Sequence, residues 1–283
     1  MTREAFSVDV NGGYLSGWIE GEGVPILVLH GGPGMGVDYL SELIAELAER
    51  HQVAAYQQRG VEPSSAGAPY DVATQTDDVV AVLDHLGWDR VIVVGHSWGG
   101  HLLLHLMVRH PGRVAGACVV DPLGGVGDGG MAEFEAEMSR RTPPEDRARA
   151  EALDQLALAG RASQEQHDES MRLLWPAYFP SRESASPYRS IPLSSEAYAA
   201  TFESLLEELP RLADRLKDCR VPTVFVHGSD SPMPVTASSA TAEVIGDAAI
   251  EIVDGAGHFI WLDQPGIVVS AADGLLRRID KTA

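Results

Sequence analysis

The chain of 283 residues is 45% hydrophobic, 22% charged and 6% aromatic. That composition suits a folded chain with a large buried core and excludes a disordered polymer, a collagen-like repeat and a disulfide-stapled miniprotein. Lys plus Arg number 21 against 41 Asp plus Glu, a formal charge of −20, which repels phosphate backbones and anionic bilayers; neither nucleic acid nor membrane is an expected partner.

The two cysteines, Cys118 and Cys219, lie far apart and outside any metal-ligand spacing, so both read as buried thiols. Met1 to Val10 has no apolar h-region, and no apolar run approaches the ~20 residues that cross a bilayer. These readings place the expected protein in the cytoplasm. The oligomeric state leaves no mark on the sequence.

Residues 4–20 read as two strands around a turn at Asn11-Gly12-Gly13, a strong hairpin signal. Val24 to Leu29 is apolar on both faces, as in a buried parallel strand, and ends abruptly in His30-Gly31-Gly32-Pro33-Gly34. A helix is expected from about Tyr39 to Arg50, then a strand over Val53–Tyr56 ending at Gln58-Arg59-Gly60, and a loop over 61–70. Thr76 to Leu86 is amphipathic, with Asp77 and Asp78 expected in its first turns and Gly87 as its stop. Val91 to Val94 is a strand that runs into Gly95-His96-Ser97-Trp98-Gly99-Gly100. A Leu-rich helix follows to about His110, and then a strand over Val114–Val120.

The alternation of strand and helix predicts an α/β fold, a parallel sheet with helices on both faces. It breaks at residues 123–217, an acidic helix-forming stretch interrupted by Pro143-Pro144, Trp175-Pro176 and Ser186-Pro187. It resumes with a strand over Val221–Val226, a helix over Thr236–Ile245, a strand over Ala249–Val253 and a last helix after Pro265. The expected organisation is a core of residues 1–122 and 218–283 with a helical cap, 123–217, inserted between its parts.

Gly95-x-Ser97-x-Gly99 between a buried strand and a helix carries the chemistry. A serine hydroxyl is a poor nucleophile and must be presented to both a base and a carbonyl carbon. A sharp strand-to-helix turn presents it, and its flanks need minimal side chains. The expected base is His258, in Asp254-Gly255-Ala256-Gly257-His258. The acid that orients it is expected at a strand's C-terminal end; Asp230 is favoured, with Asp121 in Val119-Val120-Asp121-Pro122 as the alternative. The carboxylate not used is expected to bond backbone N–H groups. Acyl transfer needs two donors on the developing oxyanion, assigned to the backbone N–H groups of Gly32 and Trp98. His30 reads as a structural hydrogen-bonding residue. His101 and His105, four apart on one helix, read as packing, with no third ligand, so neither a metal nor an organic cofactor is expected. Trp175, Tyr178 and Phe179 read equally as pocket lining or as the insertion's own core, and the cap acids, among them Glu133 and Glu135, as a solvated face.

Taken together, HGGPG (30–34), QRG (58–60), GHSWGG (95–100), HGSD (227–230) and GAGH (255–258) resemble the α/β-hydrolase superfamily and, within it, the proline iminopeptidase family. The resemblance covers roughly 1–122 and 218–283. It implies an α/β-hydrolase fold, a mostly parallel eight-stranded sheet with a helical cap after the sixth strand. Three departures stand out. The family's Asp-Gln-Arg-Gly begins here with Gln57. The Gly-x-Ser pattern that follows reads Glu62-Pro63-Ser64. The cap lacks the glutamate that the resemblance implies before the aromatic pair Tyr178-Phe179, where Trp175-Pro176-Ala177 stands, and the substitutes left open are Glu183 or another cap acid.

The expected activity is a serine hydrolase's, cleaving an ester or amide bond of a small, partly apolar substrate through an acyl-enzyme. The alternatives are an aminopeptidase that releases N-terminal proline, and a biosynthetic acyltransferase or cyclase on the same scaffold.

Overall fold

Alternating apolar positions in the central strands decide how the sheet is buried. In the strand Val91–His96, Val91 and Val93 join one apolar cluster, and Ile92 and Val94 join another across the sheet. Both faces therefore need a helical cover. The structure, a computed structural model, describes residues 3–281; Met1 and Thr2 of the N-terminal segment considered above lie outside the described residues.

Eight strands form one sheet: β1 (Glu4–Val10), β2 (Gly13–Glu20), β3 (Val24–Leu29), β4 (His51–Tyr56), β5 (Val91–His96), β6 (Val114–Val120), β7 (Thr223–Gly228) and β8 (Ala248–Val253). Their order is β1-β2-β4-β3-β5-β6-β7-β8, with β2 antiparallel to both neighbours and every later pairing parallel. This is the α/β-hydrolase arrangement. On one face pack α2 (Val72–His85), α3 (Trp98–Arg109) and α8 (Val235–Val244); on the other lie α1 (Ser41–Ala48), α9 (Ile260–Asp263) and α10 (Ile267–Asp280). Between β6 and β7 the chain leaves the sheet for α4 (Met131–Arg141), α5 (Pro144–Leu158), α6 (Gln164–Leu174) and α7 (Ser195–Leu216).

Two helix expectations shift. The helix expected from Tyr39 begins as a 3-10 turn over Val37–Leu40 and becomes α-helical at Ser41. The one expected from Thr76 starts at Val72, because Asp71 caps it by accepting from the Thr74 N–H at 2.8 Å. Asp77 and Asp78 therefore sit well inside the helix. Asp78 does not serve the helix dipole: it is buried and takes a two-pronged pair from Arg59, Nε to Oδ2 and Nη2 to Oδ1, each 2.6 Å. Cys118 and Cys219 are free and buried. Among the described residues no helix is long and apolar enough to cross a membrane.

His101 and His105 are fully buried and face each other, Nε2 to Nε2, at 3.2 Å. His101 Nδ1–H donates to the Leu123 carbonyl, so its Nε2 accepts from His105. His105 Nδ1 is left as a buried nitrogen without a partner. Burial lowers the His101 pKa to about 4 and holds His105 well below its ordinary value. As pH falls below 6.5, the unfolded chain takes up protons that the folded chain refuses, so stability is lost on acidification, with the His101 contribution lost between 6.5 and about 4. The melting temperature is expected to fall across that window, and His105→Gln to shallow the slope; equal slopes in the two proteins, followed by calorimetry, would contradict this account.

Candidate active site

β5 must turn sharply into α3, and Ser97 stands at the turn with φ 55° and ψ −120°. A non-glycine residue in that region costs about 1–3 kcal/mol and persists where its surroundings impose it. They do so here. The Ser97 N–H is tied to the Val120 carbonyl at 2.9 Å. A Cβ on Gly95 would stand 2.4 Å from the Gly99 oxygen, and one on Gly99 would stand 2.2 Å from the Leu29 oxygen. Trp98 is the first residue of α3, where a helix N–H has no acceptor within its own helix.

The other non-glycine residue with positive φ among the described residues is Asp121, at 42°, immediately after β6. It is completely buried. Its Oδ2 lies 2.5 Å from His258 Nδ1 and accepts from Ser231 Oγ at 2.5 Å; its Oδ1 accepts the Gly228 N–H at 3.2 Å and faces His227 Nδ1 at 3.3 Å. Burial by itself would push the Asp121 carboxyl up. The facing His227, the hydrogen bond and charge of His258 and the Ser231 hydroxyl outweigh it and hold the group below the usual carboxylate range.

The carboxylate on His258 is thus Asp121, the alternative weighed above, and not the favoured Asp230. Asp230 is exposed. Its N–H donates to the Ala256 carbonyl, and its own carbonyl accepts from Arg141 Nη1 at 2.8 Å. The turn that pairs Ser231 N–H with the Gly228 carbonyl brings Ser231 inward and leaves Asp230 outside. Asp230 was expected, if displaced, to bond backbone N–H groups with its carboxylate; it instead lies at the surface. Ser231 carries no sequence signal, and His227 stands in the HGSD motif without an assigned role, because only that turn makes them neighbours of Asp121.

The 30–34 loop is held from below. His30 is buried, donates Nδ1–H to the Gly31 carbonyl at 2.9 Å and accepts the Gln58 N–H on Nε2 at 3.2 Å. Burial lowers its pKa to about 4 and keeps it neutral. Gln58 reaches the His30 carbonyl with its amide nitrogen and receives the Trp98 indole N–H on its oxygen, both at 3.0 Å. Gln57 accepts the Val37 N–H at 3.0 Å and donates to the Met35 carbonyl at 2.9 Å. A carboxylate there would accept the first bond but has no hydrogen for the second, which accounts physically for an amide at this position.

Ser97, Gly32, Trp98 and His258 line one cavity of about 260 Å³, to which the helices between β6 and β7 add further walls. Its walls are mostly apolar. Trp175 and Tyr178 line it, whereas Phe179 is packed behind them against Trp175 and Phe259. The Tyr178 carbonyl accepts the His258 N–H at 2.8 Å, so the cap touches the imidazole's own residue. Arg141 fastens cap to core, donating to the carbonyls of Ala177, Phe179 and Asp230 while Glu137 holds its Nε. Two carboxylates, Glu135 and Asp154, line the cap side of the cavity; burial and then Glu135 push the Asp154 carboxyl up. Glu183 and Glu133 are both exposed, and neither lines the cavity. Among the described residues no group of three His, Cys, Asp or Glu is placed to hold a metal.

The profile of the family described as "alpha/beta hydrolase fold" matches residues 24–265, and the chain belongs to that family. It is 28% identical to epoxide hydrolase A of Mycobacterium tuberculosis over 93% of this chain and 94% of that protein. It is also 28% identical to a putative carbamate hydrolase, RutD, of Azorhizobium caulinodans over 93% and 95%. The solved proline iminopeptidase of Mycobacterium smegmatis superposes with a TM-score of 0.70 at 22% identity, covering 99% of this chain and 100% of that one, a likeness of fold alone. The protein is a hydrolase.

The close approaches around the turn make a specific demand on Gly99. Gly99→Ala is expected to destabilise the fold by about 1–3 kcal/mol in urea titration, because the new methyl meets backbone oxygens that cannot retreat. An unchanged midpoint would contradict the described packing.

Proposed function

We propose that this protein hydrolyses an ester or amide bond of a small, partly apolar substrate through a Ser97 acyl-enzyme. The observation that carries the reading is a fully buried carboxylate on Nδ1 of an imidazole that shares the cavity with Ser97. Asp121 accepts the Nδ1–H of His258 and so directs the bare Nε2 toward the cavity. His258 takes the Ser97 proton as the oxygen attacks the acyl carbon. The backbone N–H groups of Gly32 and Trp98 receive the oxyanion. His258 then protonates the leaving group and activates the water that releases the acid.

Serine chemistry separates this reading from an epoxide-opening one. Attack of Ser97 on an epoxide would leave an alkyl ether, which has no carbonyl for water to add to, and the enzyme would stop after one event. Esters, amides and carbamates leave an acyl or carbamoyl serine that water cleaves. The small cavity and its aromatic walls favour a short acyl group.

A second reading, release of an N-terminal residue such as proline bearing a free amine, is favoured by Glu135 and Asp154. Two carboxylates on one side of the cavity, the exposed Glu135 and the half-buried Asp154, welcome a cation and repel an anion. A short acyl aryl ester assayed beside a prolyl arylamide separates the two. If the amine reading holds, Glu135→Gln with Asp154→Asn removes arylamide turnover and spares the neutral ester. Equal effects on both substrates would sink it.

Ser97→Ala is expected to abolish turnover and labelling by a fluorophosphonate. Asp121→Asn is expected to lower kcat by about 10³–10⁴, and Asp230→Asn to leave it within about twofold. A large loss in Asp230→Asn with activity kept in Asp121→Asn would overturn the assignment.

A further inference from the structure

Tyr39 and His96 were not assigned any role from the sequence, yet they connect the three segments on which the proposed chemistry depends. The Gly31 N–H donates to the Tyr39 hydroxyl at 2.6 Å. That hydroxyl lies 2.8 Å from His96 Nδ1, and His96 Nε2 lies 3.0 Å from the His258 carbonyl oxygen. The direction of each bond follows from the partners. A carbonyl only accepts, so His96 Nε2 carries a hydrogen. Burial, and after it the neighbouring His258, hold His96 well below its ordinary pKa, so the ring is neutral and Nδ1 is bare. The Tyr39 hydroxyl therefore donates to Nδ1 and has a lone pair left for Gly31. One polarised chain runs from the 30–34 loop through the residue before Ser97 to the backbone of His258.

The chain is enclosed. The His96 ring packs edge-on to Trp261 at 4.8 Å and lies 4.6 Å from the His258 ring. A Cβ on Gly31 would stand 2.8 Å from both the Tyr39 hydroxyl and the Ser97 Cβ. The chain also occupies one of the two adjacent glycine amides. With the Gly31 N–H turned to Tyr39, the second of these two amides, that of Gly32 on the cavity wall, is the one of the pair not engaged by this chain.

We propose that Tyr39 and His96 are positioning residues: they fix which loop amide receives the oxyanion and hold the His258 backbone at the height that suits Ser97. The proposal rests on the serine acyl-enzyme reading. Neither side chain exchanges a proton with substrate. Loss of either leaves Ser97, His258 and Asp121 in place but less well aligned, and a misalignment of this kind costs rate more than binding.

The test uses the full-length protein, a fluorophosphonate probe and a short aryl ester, with Tyr39→Phe, His96→Leu and the double variant. Tyr39→Phe is expected to slow labelling and kcat by about tenfold to hundredfold, with KM within about threefold and a melting temperature close to the wild type's. The double variant is expected to be no slower than the slower single variant, because both changes cut one chain. Wild-type labelling rates in Tyr39→Phe, or single losses that multiply in the double variant, would overturn the proposal. Failure of the wild type itself to be labelled, or labelling that persists in Ser97→Ala, would instead overturn the serine reading, so the two failures are distinct.

Discussion

A single negative charge with no contact to water organises this site. Taking a carboxylate out of water is costly unless hydrogen bonds and opposite charge replace the lost hydration. Asp121 has those replacements from three directions: the His258 ring, the Ser231 hydroxyl and the Gly228 amide, with His227 alongside. They come from two segments, residues 227–231 at the end of β7 and the loop that carries His258, so the groups converge on Asp121 only in the folded sheet. The left-handed backbone at Asp121 turns its side chain back between β6 and β7 and is held by its N–H on the Val226 carbonyl.

Strain and support are shared between two adjacent strand ends. Ser97 after β5 and Asp121 after β6 are the two non-glycine residues with positive φ among the described residues, and they are bridged through Val120, whose carbonyl accepts the Ser97 N–H. The parallel pairing of β5 with β6 sets that distance. Around it the supporting side chains are neutral and fully committed. Gln57, Gln58 and His30 each satisfy backbone groups of the 30–34 loop or its neighbours, so the loop keeps its shape without charge that would compete with an oxyanion. The cap enters the same arrangement through the Tyr178 carbonyl on His258 and the Arg141 clamp on the 230–231 turn.

The core strands and the serine turn were legible because their signals are local. A run apolar on both faces, followed by glycines around one serine, is written within ten residues. The hairpin at Asn11-Gly12 and the strand Val114–Val120 were legible for the same reason. The acid was harder. Asp121 and Asp230 each follow a core strand, and composition cannot say which side chain turns inward. That depends on a turn that buries Ser231 in place of Asp230 and on a backbone angle at Asp121. The start of α2 escaped because its cap, Asp71, sits in a loop of Pro and Gly that masks the onset of the helical period. The cap's contribution escaped most. Glu135 and Asp154 look like any other acids on polar helices, and only the packing of α4, α5 and α7 over the sheet directs them to the cavity.

The contact between Asp121 and His258 can be observed directly by proton NMR in the resting enzyme. An imidazole N–H held 2.5 Å from a buried carboxylate resonates far downfield of ordinary amides. The account predicts one such signal, present in the wild type and in Asp230→Asn and absent in Asp121→Asn. A signal that survives the loss of the Asp121 charge, or disappears with that of Asp230, would contradict it.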